Sequence, residues 1–563
     1  MKLDLLVRAN EILTMDPDRP IATAVGVISE RIVGFDEEVT DMEAERTLDF
    51  DDACITPGLI DAHCHTTWWG LGLDAVDLSG CRGLEEVYAK IEAEAERLSG
   101  DDDAWVHGTG FNQAHHGGRF PDIGRIDEIT GNRPLYLRHA SGHSSITNSA
   151  TLHLIGASHS TVQDPAGGIV VRDDEGKPTG VLEEAAQGLV QALLLPYSTE
   201  RIIRALDAAT ERYAAQGITS FTEAGIGGGW IGHSPVEVAA YQAAAESGHL
   251  HARAQLMPSM DALQPLTGHP ADFHHQGTGL GLGLGIRYGF GDDYVRFGHV
   301  KVFLDGSLLG ATAAVTESFC GHDHNTGYLL DEPETYRERA LCAYRAGWPL
   351  ALHAIGDVAI DLAMDLIEEA QDRYGRGEAP CRIEHFGIAR PDQVERAGIL
   401  GIAVAPQAGF IGPLGDQIAT LVGPERESWL YRGRSVIDAG ALLAGSSDLP
   451  VADNNLRRGM QSAVDRRTDK GLPFAAGEAI TPEEALRTHT EWAARATGQF
   501  RDKGTLERGK LADFTVFSES PLIARNIAQI DIVATILGGR LSYDAREAHR
   551  NSTPELQLLS GTS

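Results

Sequence analysis

Residues 55–69 read ITPGLIDAHCHTTWW. The run is apolar up to Ile60 and then sets His63 and His65 either side of Cys64. In a strand, residues two apart project to the same side, so both imidazoles share one face and Cys64 takes the other. A strand with so little polar alternation belongs in a parallel sheet covered on both faces. Two histidines at the carboxyl end of such a strand can hold one metal ion.

The same His-x-His spacing recurs at His249 and His251 in HLHAR and at His322 and His324 in CGHDHNTG, and the chain has 22 histidines, so the bare pattern decides little. Position separates the three. Outward from the opening stretch, further short apolar segments read as strands: GITSFTEAG, HARAQLMPS, FGHVKVFLDG, PLALHAIGD, CRIEHFGIA, GIAVAPQAG and ALLAGSSDLP. Between them lie helical patterns such as RIIRALDAATERYAAQ, ETYRERALCAYRAG, AIDLAMDLIEEAQDRYG and PEEALRTHTEWAARATG. Eight buried strands alternating with helices predict an α/β fold, a (β/α)8 TIM barrel, whose chemistry sits at the carboxyl ends of the strands. His63 and His65 end a strand, whereas His249 and His251 begin one, and His322 and His324 occupy a polar turn.

The later strand ends then supply what a metal site needs: Lys301 in VKVFLDG, His353 in LALHAIGD, His385 in RIEHFG and Asp448 in AGSSDLP. A core strand has little structural reason to carry such residues. Strand-like alternation at both chain ends predicts a small β-sandwich domain built from residues 1–56 and 505–563, around a barrel of 57–504. The distance between the first two barrel strands leaves an inserted subdomain of about 66–200. The run GTGLGLGLGIRYGFGDD lacks the context of a phosphate loop and reads as a flexible segment near the barrel mouth.

Composition narrows the partners. Forty-seven Lys and Arg against 81 Asp and Glu give a net charge of −34, a field that repels nucleic acid and anionic membranes. Hydrophobic content of 42% and charged content of 23% suit a globular protein, and no run is long enough to span a bilayer. The six cysteines are too dispersed for a disulfide framework, and MKLDLLVRANEILTMD is not a signal peptide. A cytoplasmic location, a small-molecule substrate and, from apolar rim helices, a homodimer are the expectations.

The ordered set resembles the amidohydrolase superfamily, in the branch grouped with N-substituted formamide deformylase and the YtcJ-like proteins (amidohydrolase family 3). The likeness runs from TPGLIDAHCH through VKVFLDGSLLG, LALHAIGD, RIEHFG and GSSDLPV to GTLERGKLADFTVF, nearly the whole chain. It implies a binuclear centre, with His63, His65 and Asp448 on one divalent ion, His353 and His385 on the other, and Lys301 bridging. An ammonium repels cations, but a buried, neutral lysine amine can add carbon dioxide and become an anionic carbamate. Imidazole and carboxylate ligands suit zinc, two ions per chain on this reading. The ions would generate hydroxide at neutral pH, and Asp448 would shuttle the proton to the leaving amine. A lysine in a plain salt bridge beside a single ion is the alternative.

Deaminases on this barrel usually carry a glutamate after the fifth-strand histidine; here AIGDVAID follows His353, which favours hydrolysis of an amide or formamide C–N bond. An esterase, lactonase or deaminase on the same site, or a catalytically silent binding protein, are the other readings. A variant centre using a metal-binding glutamate would draw on Glu223. By resemblance, His143 would reach the substrate carbonyl, the other reading being a satisfied loop histidine. Trp68 and Trp69, directly after the metal pair, would wall an aromatic or apolar pocket or pack under the insert.

Overall fold

The computed structural model describes residues 2–547 apart from 74, 101–103, 140–143, 159–162, 166–167, 230 and 323. The chain divides into two compact units, Met1–Thr66 with Ala209–Ser563, and Thr67–Ala208.

The first unit holds a succession of parallel strands: β1 (Leu59–Cys64), β2 (Ile218–Ile226), β3 (Arg253–Pro258), β4 (Val300–Phe303), β5 (Leu350–Ala354), β6 (Arg382–His385), β7 (Ala403–Ala405) and β8 (Leu442–Leu443). β1, β2 and β3 are consecutive in one sheet, and β4 to β8 are consecutive in another. A parallel bridge between Ser259 and Lys301 joins the sheets on one side, and the Ala62 N–H donates to the Gly445 carbonyl at 3.2 Å on the other. The result is a TIM-barrel-like α/β arrangement. Every residue of β1, β2 and β3 is buried, as strands covered on both faces require.

Helices follow the strands for the reason their sequences suggest. In the helix Asp357–Tyr374, Ile360, Ala363, Met364 and Ile367 recur at three- and four-residue spacing and are buried, so one stripe packs inward. Each of the larger side chains, Ile360, Met364 and Ile367, contributes about 1.5–3 kcal/mol on removal from water. Gly375, at φ 80°, ends the helix in a conformation open to glycine. Gly356, before it, is fixed by space: a Cβ there would lie 1.9 Å from the Ala314 carbonyl oxygen. The stretch PEEALRTHTEWAARATG, read as one helix, forms two, Pro482–Thr488 and Glu491–Ala496. The break frees the His489 carbonyl to accept the Ile60 N–H of β1 at 2.8 Å.

The chain termini meet in one seven-stranded sheet, ordered Arg540–Asp544, Ile532–Leu537, Phe514–Phe517, Ala44–Pro57, Leu3–Leu13, Ile21–Ile28 and Arg31–Phe35. The two ends of the sequence pair antiparallel where Val516 faces Ile55, and Val7, Ile12, Val25, Phe514 and Ile536 fill its core. The glycine-rich run differs from expectation. Thr278–Gly281 is a strand paired with Gln264–Thr267, and the Tyr288 ring lies 5.7 Å from that of His299, just before β4. That places it by the amino ends of the strands, opposite the barrel mouth.

The second unit has a six-stranded sheet ordered Gly168–Arg172, Pro178–Glu184, Ser144–Thr147, Leu135–His139, Val106–Phe111 and Val76–Asp77. Val87 and Ile91 of the helix Leu84–Arg97 and Ile126 of Ile123–Thr130 pack with its apolar residues into a separate core. Among the described residues, no helix is long and apolar enough to cross a membrane.

Candidate metal centre

The end of β1 is tied to the loop after β8. The Asp61 carboxylate accepts the Ser447 N–H at 3.0 Å and its hydroxyl, and the His65 N–H donates to the Leu449 carbonyl at 2.8 Å. Asp448 lies between these ties with φ 54°, a left-handed conformation that turns its side chain toward the histidines. The outcome is three buried side chains, His63, His65 and Asp448, whose ligand atoms lie within 4.8 Å of one another.

Asp448 Oδ1 is 3.4 Å from His63 Nε2 and 3.3 Å from His65 Nε2. Despite these approaches, this buried oxygen makes no well-formed hydrogen bond among the described residues. A carboxylate oxygen facing two imidazole nitrogens in that way suits a cation among them better than it suits a hydrogen-bond network.

His353 and His385 lie beside this cluster, outside the three whose ligand atoms converge. Their rings are 4.4 Å apart, and the His385 ring is 5.0 Å from that of His63. His353 Nε2 donates to the Gly306 carbonyl at 3.0 Å, which can only accept, so Nδ1 keeps its lone pair; that atom is buried and has no hydrogen-bond partner among the described residues. For His385 the roles reverse. Gln407 Nε2 donates to the Ala405 carbonyl at 2.8 Å, so its Oε1 accepts from His385 Nδ1 at 2.8 Å and leaves the His385 Nε2 lone pair available. His385 and the next residue, Phe386, have φ of 71° and 48°, and this break in the strand lets Glu384 and His385 face the same interior.

Lys301 Nζ is buried 3.4 Å from His63 Nε2 and 4.7 Å from the Phe303 ring centre. Among the described residues it forms no ion pair. Burial drives its pKa down to about 8, toward the neutral amine. Burial likewise holds His65 at about 4 and His385 at about 3, so both rings are neutral at pH 7. For Asp448 burial opposes ionisation, but the His63 and His65 rings outweigh it and hold the carboxyl well below its usual range.

His143 lies outside the described residues. Trp68 and Trp69 are half-buried in the second unit, where the Arg138 guanidinium lies 5.4 Å from the Trp68 ring. His249 is exposed and His251 precedes β3, while His322 and His324 are exposed. Glu223 is buried and accepts the Tyr241 hydroxyl at 2.6 Å and the Thr66 N–H at 2.8 Å, ties that suit a structural role.

Sequence reading missed the groups behind the ligands: Glu384, which meets His63 Nδ1, Arg382 beside it, Gln407 behind His385, and Asp305. The Asp305 carboxylate accepts the N–H groups of Ala314, Ile355 and Gly356 and so fixes the loop after His353. Two opposite charges two residues apart on a wholly buried strand, Arg382 and Glu384 in RIEH, were the available signal for that pair.

The sequence profile described as "Amidohydrolase family" matches residues 46–543. The chain is 30% identical over 550 residues to Protein LONG AFTER FAR-RED 3 of Arabidopsis thaliana, covering 96% of this chain and 91% of that protein. It is also 30% identical over 556 residues to N-substituted formamide deformylase of Arthrobacter pascens, covering 96% and 98%. In structure it is similar to an uncharacterized metal-dependent hydrolase from Pyrococcus furiosus, with a TM-score of 0.72, 24% identity and coverage of 92% and 99%. That last likeness speaks to the fold. The extent of the sequence match, over a chain whose strand ends carry this histidine and aspartate cluster, places the protein in the amidohydrolase family.

Proposed function

We propose that this protein is a metal-dependent hydrolase that cleaves an amide- or formamide-type C–N bond in a small molecule. The observation that carries the reading is the approach of Asp448 Oδ1 to two imidazole nitrogens at 3.3 and 3.4 Å without a well-formed hydrogen bond. His63, His65 and Asp448 would hold one divalent ion, zinc by ligand chemistry, and His353 with His385 the other. Lys301, as the carbamate it can form with carbon dioxide, would serve both. The full reading of the fold is a (β/α)8 barrel with a composite domain of residues 1–56 and 505–563 and an insert at about 66–200.

Divalent ions in such a site bring a bound water's pKa toward neutrality and polarise a carbonyl. The chain's own part is to hold and move the proton. The Asp448 carboxylate, buried and ionised, takes a proton from the attacking water and returns it to the leaving nitrogen. Gly306 and Gln407 hold the His353 and His385 rings in fixed tautomers. The similarity to N-substituted formamide deformylase supports formamides as the first substrates to assay.

The test is elemental analysis of the purified chain together with a screen of formamides, N-acyl amines, esters and lactones. Bound metal near two equivalents, lost with activity in Lys301→Ala, supports the reading. A chain with no tightly bound metal and no metal-dependent turnover overturns it.

A further inference from the structure

Arg382 and Glu384 sit two residues apart on β6, both wholly removed from solvent. Arg382 donates Nε–H to Glu384 Oε1 and Nη2–H to Oε2, each at 2.9 Å. Nη2 also donates to the Ala62 carbonyl at 2.8 Å, anchoring the pair to β1. The same Oε2 also meets His63 Nδ1 in a short contact.

We propose that Glu384, clamped by Arg382, is a positioning residue: it fixes His63 as the Nδ1–H tautomer and thereby sets the metal affinity of the His63, His65 and Asp448 cluster. The proposal rests on the metal-centre reading above.

The chemistry follows from donor counting. A guanidinium only donates, and a carboxylate gripped by two of its N–H groups is ionised and only accepts. The proton in the contact with His63 therefore resides on Nδ1. A neutral imidazole carries one N–H, so Nε2 keeps its lone pair, and Nε2 is the atom 3.4 Å from Asp448 Oδ1. The opposite tautomer would set the Nδ1 lone pair against a carboxylate and block the ligand atom with a proton. An anionic acceptor behind the ring also makes Nε2 a stronger donor to a cation.

Stability alone is a poor reason for the pair. Two charges taken wholly out of water gain little over apolar side chains of similar volume. What distinguishes this pair is its connection to His63 and, through Ala62, to the strand that bears His63 and His65.

The test compares full-length wild type, Glu384→Gln and the double variant Arg382→Met with Glu384→Gln, the last removing the guanidinium that a single change would strand. Circular dichroism and thermal melting report folding. Zinc affinity comes from competition with a chromophoric chelator, and the visible spectrum of the cobalt-loaded chain reports the ligand field. The expected result is a folded Glu384→Gln or double variant whose zinc affinity drops about 10- to 100-fold, with a shifted cobalt spectrum. A folded variant with wild-type affinity and an unaltered spectrum overturns the proposal. If neither variant folds, the pair belongs to folding and the proposal also falls. Wild-type protein that takes up no zinc overturns the metal-centre reading as well, whereas wild-type uptake matched by the variants overturns this inference alone.

Discussion

Asp448 and His63 are joined twice: the Asp448 N–H donates to the His63 carbonyl at 2.8 Å, and Asp448 Oδ1 lies 3.4 Å from His63 Nε2. The first contact places the second. A loop residue far from β1 in sequence is pinned to the backbone of a strand-end histidine, so carboxylate and imidazole are held in position before any ligand arrives.

Replacing Asp448 by asparagine isolates the charge and proton-transfer role. Asn tolerates the left-handed backbone at φ 54°, so the loop should keep its path. The variant is expected to fold like wild type and to lose about 10²- to 10⁴-fold in kcat on any substrate found in the screen. Steady-state kinetics beside a thermal melt check this; an unchanged kcat removes Asp448 from the chemistry.

Removing metal should destabilise the chain, because the cluster is assembled only in the folded state. Dialysis against a strong chelator is expected to lower the melting temperature. Restoring zinc to 100 times its Kd should return about 2.7 kcal/mol. His65→Ala serves as the control and should respond far less. Equal responses in wild type and His65→Ala would place the bound metal elsewhere.

How much of this was legible in the sequence differs by residue. Lys301 and Asp448 stood out because a charged side chain within or just after an apolar segment has few structural explanations, although Lys301 is the second residue of β4 and Asp448 lies in the loop after β8 rather than at strand ends. His385 is a different case. Strict alternation would have put it on the opposite face from Glu384, and only the positive φ of His385 and Phe386 brings both inward. Backbone breaks of that kind leave no periodic trace. Nor do Gln407 and Asp305, whose roles come from the loops they meet. The long gap between β1 and β2 was visible, but the six-stranded sheet within Thr67–Ala208 was not, since its strands are short and irregularly spaced.

Arg253 on β3 and Asp513 beside the terminal sheet form a two-point pair, Nε to Oδ2 at 2.8 Å and Nη2 to Oδ1 at 2.9 Å, both residues buried. Breaking such a pair strands a charge away from water. Arg253→Met is expected to cost about 3–5 kcal/mol, seen as an earlier transition in the thermal melt. Arg253→Met with Asp513→Asn should recover part of that loss. If the single variant melts like wild type, water reaches Asp513 and the pair is not a tie between the two elements.

Lys503 supplies a pH-dependent stability far from the candidate centre. Its Nζ is buried and donates to the Ser220 hydroxyl at 2.5 Å, and burial, aided by the nearby Arg253, pushes its pKa down to about 7. In the unfolded chain a lysine titrates at about 10.4. Between those values the unfolded state binds more protons than the folded state, so the Lys503 contribution to stability rises with pH. The penalty is nearly full at pH 7, on the order of 4 kcal/mol, and is largely gone by about pH 10. Lys503→Met removes the titrating group but leaves the Ser220 hydroxyl unpaired, a loss of about 1 kcal/mol or more. The variant should therefore be more stable than wild type at pH 7, and the advantage should shrink or reverse toward pH 10. Urea midpoints of both proteins at the two pH values measure the difference directly, with other titrating groups cancelling. A gap that stays constant across this range would mean that Lys503 keeps its charge in the folded state, with water or a carboxylate replacing the solvation lost on burial.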